Sequence, residues 1–300
     1  MKNFRNRERT AARLRSLRPP RRVFAAGAAL AVLPMTGAGA SATSAGTPAA
    51  ATTAAVLTSA RLTVFRPSTG TWYINPPGIS IRWGANGDIP VAADYNGDRN
   101  IDLAVFRPSN GTWYVRKVGT VRFGQRGDIP VPMDYDRDGK DDIAVWRPST
   151  GTWYIRGLAA ERWGAAGDIP QPQNYTGNAR PELTVFRPST GTWWIRGLPS
   201  VRWGQSGDLP VAADYGGPDR KADIAVWRPS TGAWYLRGVG KVTWGAAGDR
   251  PVVGDYNSDR RADLALWRPS TGTWYVRNIV RSTWGTPTDV PVFLPRRTAL

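Results

Sequence analysis

The residues best placed to do chemistry are aspartates gathered in short runs. The segment 134–142 reads DYDRDGKDD, five aspartates in nine positions of a chain whose formal charge is +17. Related runs are DYNGDRNID at 94–102, NYTGNARPE at 174–182, DYGGPDRKAD at 214–223 and DYNSDRRAD at 255–263. In the fullest versions oxygen side chains stand at positions 1, 3, 5 and 9, and a backbone carbonyl at position 7 can complete the set. Calcium takes six to eight oxygens in an irregular cage, whereas magnesium demands a stricter octahedron. Like charges 4 Å apart repel by about 1 kcal/mol even in water, and more when partly buried. Such loops therefore call for a cation.

Three loops fit calcium. The first supplies Asp94, Asn96, Asp98 and Asp102 with the carbonyl of Asn100. The second supplies Asp134, Asp136, Asp138 and Asp142 with the carbonyl of Lys140. The fifth supplies Asp255, Asn257, Asp259 and Asp263 with the carbonyl of Arg261. Calcium loops turn sharply at the sixth position; the second has Gly139 there, and the others have Arg99 and Arg260. The third loop keeps one carboxylate, Glu182, and is expected to hold no calcium. The fourth has an extra residue that breaks the spacing, so it should be empty or distorted. Asp, Asn and Gly also serve as plain turn formers, but three full patterns at one phase of a repeat favour calcium.

The composition removes other chemistry. With no cysteine and no histidine in 300 residues, disulfides, thiol nucleophiles, histidine-based triads and ordinary zinc or copper sites are excluded. At the N-terminus, nine Lys/Arg between Lys2 and Arg22 precede an apolar run from Val23 to Met35 and an AGASA stretch. That run is too short for the roughly 20 residues a membrane span needs. The layout is that of a signal peptide over 1–40, and Arg21-Arg22-Val23-Phe24 resembles a twin-arginine export signal. Cleavage would leave 31 bases against 22 acids, or +9. Residues 41–60 form an Ala/Thr/Ser linker. The mature chain is expected to be secreted, monomeric and without a membrane span.

The elements that position the aspartates come from a repeat. VFRPSTGTWYI at 64–74 returns five more times with a period of 40 or 41, and WGANGDIP at 83–90 recurs in step with it. Apolar residues alternate with a period of two, S-T-G and S-N-G are hairpin turns, and each RPS proline should end its strand. Each unit reads as four strands, for example PVAAD, DLAVF, TWYVR and TVRFG. Four strands in about 40 residues is a β-propeller blade. The repeat region, 61–295, opens with strands two to four of a unit and closes with a lone first strand, VPVFL at 290–294. The expected fold is an all-β, six-bladed propeller whose first blade is closed by the C-terminal strand. An open array of repeats is the structural alternative.

Phe123-Gly124, the GDIP at 127–130 and the D-x-D-x-D-G-x-x-D loop at 134–142 together resemble the FG-GAP/VCBS repeat family, which includes the integrin α propeller and secreted bacterial proteins. The resemblance spans about 61–295; the chain departs from it in having Trp for Phe in five of six copies and a shorter unit. It implies a calcium-stabilised propeller used for adhesion or ligand binding.

Two other columns recur in every unit. Arginines 66, 107, 147, 187, 228 and 268 match aspartates 88, 128, 168, 208, 249 and 289, one of each sign, as a structural ion pair would require. The fifteen tryptophans all fall on repeat columns, which points to packing; stacking on sugars is the sharper alternative. Nucleic-acid binding is disfavoured because the bases are interleaved with acids rather than gathered in a patch. The leading function is a non-catalytic binding module for an extracellular glycan or cell-surface polymer. A glycan-active hydrolase or lyase is the alternative, although Glu161 and Glu182 stand unpaired in sequence.

Overall fold

A computed structural model describes residues 60–216, 219, 221–295 and 298–299; the expected signal peptide and nearly all of the linker lie outside them. It shows six four-stranded antiparallel sheets arranged as a β-propeller. In blade 2 the strands are Ile89–Pro90, Ala104–Arg107, Thr112–Val115 and Gly119–Arg122, paired in sequence order. Blade 1 has the order Val290–Pro295, Ala60–Arg66, Thr71–Asn75, Ile79–Arg82, so the C-terminal strand supplies its innermost member. Among the described residues the one helical element is a single 3₁₀ turn, Pro269–Thr271.

The first strand is shorter than the sequence pattern predicts. Regular pairing covers Ile89–Pro90, continues through Val91 N–H to the Ala104 carbonyl at 2.8 Å, and ends at a bridge between Ala93 and Asp102. Second strands stop at the arginine before each proline, as a residue without an N–H dictates. The hairpin glycine is required at Gly111: φ is 66°, and a Cβ there would lie 2.1 Å from the Gly124 carbonyl oxygen. The Gly124 N-terminal neighbour, Phe123, donates its N–H to the Gly111 carbonyl at 2.8 Å. The S-N-G and F-G motifs of one unit therefore meet in space.

The core lies between blades rather than within them. One face of blade 2 packs Ala104, Phe106, Trp113 and Val115 against Ile143 and Val145 of blade 3. The same arrangement returns at each seam and ends with Ala265, Trp267, Trp274 and Val276 of blade 6 against Leu62 and Val64 of blade 1. That last cluster closes the ring. The tryptophan of each TW motif is fully buried, and its indole N–H reaches the backbone carbonyl that opens the WG or FG motif, as in Trp113 to Phe123 at 2.8 Å.

Each blade is fastened at the end opposite the acidic loop. Arg147 donates from Nε to Asp128 Oδ1 at 2.8 Å and from Nη2 to Oδ2 at 3.0 Å, while its guanidinium carbon lies 4.3 Å from the Tyr154 ring centroid. Asp128 also accepts the Gln125 N–H at 3.0 Å. Equivalent ion pairs join Arg66–Asp289, Arg107–Asp88, Arg187–Asp168, Arg228–Asp208 and Arg268–Asp249 at 2.7–2.8 Å. The aspartates are buried; such a charge is tolerated only with a fully bonded partner. In blade 1 the pair ties the C-terminal strand to the second.

Candidate metal centre

The acidic loops occupy equivalent places, between the first and second strands of blades 2 to 6, and those of blades 2, 3, 4 and 6 share positive φ at positions four and six. In loop two, Gly139 N–H donates to Asp134 Oδ2 at 3.0 Å, Asp138 N–H to Asp136 Oδ1 at 2.9 Å, and Lys140 N–H to Asp138 Oδ1 at 2.8 Å. Loop one repeats this ladder with Arg99 to Asp94, Asp98 to Asn96 and Asn100 to Asp98 at 2.7–2.8 Å. Loop five does so with Arg260 to Asp255, Asp259 to Asn257 and Arg261 to Asp259 at 2.8–3.0 Å. In loop two each of these carboxylates spends one oxygen on the ladder, whereas in loop one Asp94 spends both, its Oδ1 accepting the Gly97 N–H at 2.7 Å.

The sharp turn at position six does not depend on glycine. Gly139 has φ 89°, but Arg99 and Arg260 adopt 71° and 74°. An L-residue in that left-handed region costs roughly 1–2 kcal/mol. Loops one and five reach the same geometry under backbone strain.

Asp134, Asp136 and Asp138 each bring a carboxylate oxygen within 4.8 Å of the others. Asp142 is not part of that group; its Oδ2 accepts the Tyr135 N–H at 2.8 Å. The last residue has this duty in every loop, the ninth in four and the tenth in loop four: Asp102, Glu182, Asp223 and Asp263 accept from Tyr95, Tyr175, Tyr215 and Tyr256 at 2.7–3.1 Å. Because loops three and four share it, this position is first a structural anchor. In loops one and five its second oxygen accepts the Asn96 and Asn257 amide N–H at 3.4 Å.

Whether the residues suit a cation is shown by the under-bonded oxygens. Asp134 Oδ1 and Asp255 Oδ1 are buried without a well-formed hydrogen bond, the Arg137 and Ser258 N–H groups only reaching toward these carboxyls, and a buried charged group short of donors costs about 1–3 kcal/mol or more. Burial first, then neighbouring carboxylates, raises the Asp134 and Asp255 carboxyls and pushes Asp102, Asp142 and Asp263 up to about 6. The donor set is hard oxygen throughout, as calcium requires. The residues fit.

Loop three shows the same scaffold without that need. Thr176 Oγ1 and Asn178 Nδ2 donate to Glu182 Oε1 at 2.6 and 3.3 Å, and Gly177 N–H donates to Asn174 Oδ1 at 2.8 Å. Neutral donors occupy the role that a cation would have in loop two. In loop four, residues 217, 218 and 220 lie outside the described residues; Asp219 lies 3.4 Å from Lys221 Nζ.

One acid had no assigned role in the sequence pattern. Asp141, at position eight, accepts the Asp94 N–H on Oδ2 at 2.9 Å, and its own N–H reaches the Asp94 carbonyl at 2.7 Å. Burial pushes its carboxyl up to about 7. It links loop two to the first residue of loop one. The backbone half of the link recurs as Ala222 to Asn174 at 2.8 Å and Ala262 to Asp214 at 2.6 Å. The signal was present only as an aspartate where other loops carry Ile101, Pro181, Ala222 and Ala262.

No family model matches the chain, and no curated protein matches it in sequence. Several solved structures are similar in chain path, among them the following three. An Agrocybe aegerita lectin that recognises non-reducing terminal N-acetylglucosamine superposes with a TM-score of 0.46 at 16% identity, over 77% of this chain and 74% of that one. BBS1N solved with ARL6DN and soaked with lead gives 0.43 at 14%, over 76% and 85%. The mercury-soaked form gives 0.44 at 13%, over 80% and 88%. At such scores nothing about this chain's ligand follows from them.

Proposed function

We propose that this chain is an exported, calcium-stabilised propeller of the FG-GAP/VCBS kind, acting as a non-catalytic binding module for an extracellular glycan or cell-surface polymer. The observation that carries the metal half is the pair of buried, under-bonded oxygens, Asp134 Oδ1 and Asp255 Oδ1, in loops whose backbone is already folded around them. Asp134, Asp136 and Asp138 would hold one ion, Asp94, Asn96 and Asp98 a second, Asp255, Asn257 and Asp259 a third, with Asp102, Asp142 and Asp263 and the carbonyls of Asn100, Lys140 and Arg261 completing the shells. Bound calcium supplies charge neutralisation to these loops. The protein's own part is to fix the carboxylates and to tie successive loops together.

The binding half rests on where the charges lie. The six GDIP-column acids are buried in ion pairs and most others sit in the loops, whereas Arg82, Arg122, Arg162 and Arg202 are exposed on the outermost strands of blades 1 to 4. The outer wall therefore presents cations to the surroundings, which suits an anionic or hydroxyl-rich polymer. Exposed cations also discourage edge-to-edge sheet pairing. The hydrolase reading needs a free carboxylate pair; Glu161 is bound to Arg196, and Glu182 is occupied within loop three. The test is a glycan array with labelled protein in calcium, paired with an assay for released sugar. Retention without product is expected; release of sugar, or no retention, overturns the reading.

A further inference from the structure

Blade 4 departs from the other five at one residue, and the departure opens a recess. In blades 1, 2, 5 and 6 the ion-paired arginine donates from Nη1 to the third-strand tyrosine hydroxyl, as in Arg107 to Tyr114 at 3.0 Å and Arg228 to Tyr235 at 3.0 Å. Blade 4 has Trp194 at that place, which offers no acceptor. Arg187 still binds Asp168 through Nε and Nη2 at 2.8 and 2.9 Å. No tyrosine hydroxyl accepts from its Nη1, and its side chain is the most exposed of the six, at 32%. The guanidinium stands further from the ring, 5.4 Å from the Trp194 centroid against 4.3–4.7 Å over the tyrosines.

Around this arginine lies a shallow recess of about 130 Å³, lined by Trp163, Gly164, Arg187 and Trp194 at the seam of blades 3 and 4. Trp194 is 37% exposed, unlike the nine tryptophans that are wholly buried. Its backbone is fixed from the neighbouring blade, because Trp163 donates its indole N–H to the Trp194 carbonyl at 3.0 Å. The recess thus combines a half-exposed indole on a fixed backbone with a guanidinium that two bonds to Asp168 hold in place and whose Nη1 lacks the tyrosine acceptor of other blades.

We propose that this recess is a carbohydrate site, taking one pyranose ring of a longer chain. A pyranose presents C–H groups on one face and oxygens around its rim, so the C–H face would lie on the indole and a rim oxygen would accept from Arg187 Nη1. The adjacent guanidinium opposes a cationic ligand such as a quaternary ammonium group, and it favours a hydroxyl or carboxylate. The recess is too open to engulf a ligand, so affinity for a single residue is weak and chain length adds to it. This inference rests on the reading of the protein as a glycan-binding module and gives that module an address.

Trp194→Tyr restores the residue of the other five blades, so the variant has a scaffold precedent within the same chain. Wild type and variant are applied to one printed array of neutral and uronate-containing oligosaccharides in millimolar calcium, and the strongest-binding member is then titrated calorimetrically. The expected result is at least tenfold weaker binding by the variant, with an unfolding temperature no lower than wild type. Trp194→Ala, which removes the platform outright, should behave alike in binding. Unchanged binding by folded variants overturns the recess as the site while leaving glycan binding in place elsewhere. Absence of binding by wild type to every array member overturns both.

Discussion

At the scale of single residues, the balance between buried donors and acceptors decides what each side chain is for. Trp234 donates to the Trp244 carbonyl at 2.9 Å, whereas the buried indole N–H of Trp227, one strand away, has no acceptor. Both lose similar ring area on conversion to Phe, but only one loses a hydrogen bond. Trp234→Phe should therefore destabilise the protein by about 1 kcal/mol more than Trp227→Phe in denaturant unfolding; equal costs would contradict the assignment. Phe65, Phe106 and Phe186 already fill the Trp227 column in other blades. The carboxylates make the second prediction. Asp102, Asp142 and Asp263 titrate near 6 in the folded, metal-free loops, against an ordinary value of 3.8. A raised folded value means the ionised form is penalised by folding, so metal-free stability is greatest below about pH 4 and declines as pH rises through 6. Calcium bound to the ionised form would offset that decline. The calcium-induced increase in unfolding temperature should be small at pH 5 and full above pH 7. An increment independent of pH would show that these carboxylates are not ligands.

Among the elements, the hairpins and the acidic loops were legible to different depths. The S-T-G hairpins and the stop at each RPS proline follow from backbone chemistry that one residue carries alone, and they appear where the pattern puts them. The acidic loops were legible as spacing, but not their internal division of labour. That Asp142 anchors Tyr135, or that Asp141 reaches Asp94, depends on where a neighbouring strand or blade lies. Spacing along the chain carries no such information. The first strand, read as five residues, pairs regularly over two in blade 2 and then only through a bridge at Ala93, whereas its counterpart in blade 1, with Pro291 inside it, pairs over six. Backbone strain gives a test at this scale. Arg99 is exposed and left-handed at φ 71°, so Arg99→Gly should stabilise the loop by about 0.5–1 kcal/mol, the relief of strain less the entropy of glycine. Gly111→Ala should do the opposite, by more than about 2 kcal/mol, because its Cβ would meet the Gly124 carbonyl. Thermal unfolding of both variants checks the pair.

For the whole molecule, closure distinguishes a ring from an open row of repeats. The offset between the chain's opening and closing strands made closure legible from sequence. Which blade faces meet was not, since the alternating pattern leaves both faces of each sheet apolar. The structure resolves it: the aromatic face of one blade meets the aliphatic face of the next, through to blade 6 against blade 1. Beyond the closing strand, Thr298–Ala299 pairs in parallel with Ile101–Asp102, beside loop one. This short element carried no signal in the repeat. Deleting residues 290–300 removes the buried Phe293 and Leu294 and exposes the edge of Ala60–Arg66. The truncated protein should lose its single cooperative transition and aggregate; a variant that merely frays at one end would favour the open array.

Calcium is the central claim, and unfolding temperature in calcium against EGTA at pH 7.5 tests it most directly. Extracellular calcium sites have dissociation constants of about 10⁻⁴–10⁻³ M, so 10 mM calcium should add roughly 1.4–2.7 kcal/mol per occupied site. With three sites the transition should rise by roughly 10 °C or more. Asp134→Asn with Asp136→Asn should remove about a third of the gain, and Asn174→Ala in loop three none of it. An unfolding temperature that is the same in calcium and in EGTA would contradict the account.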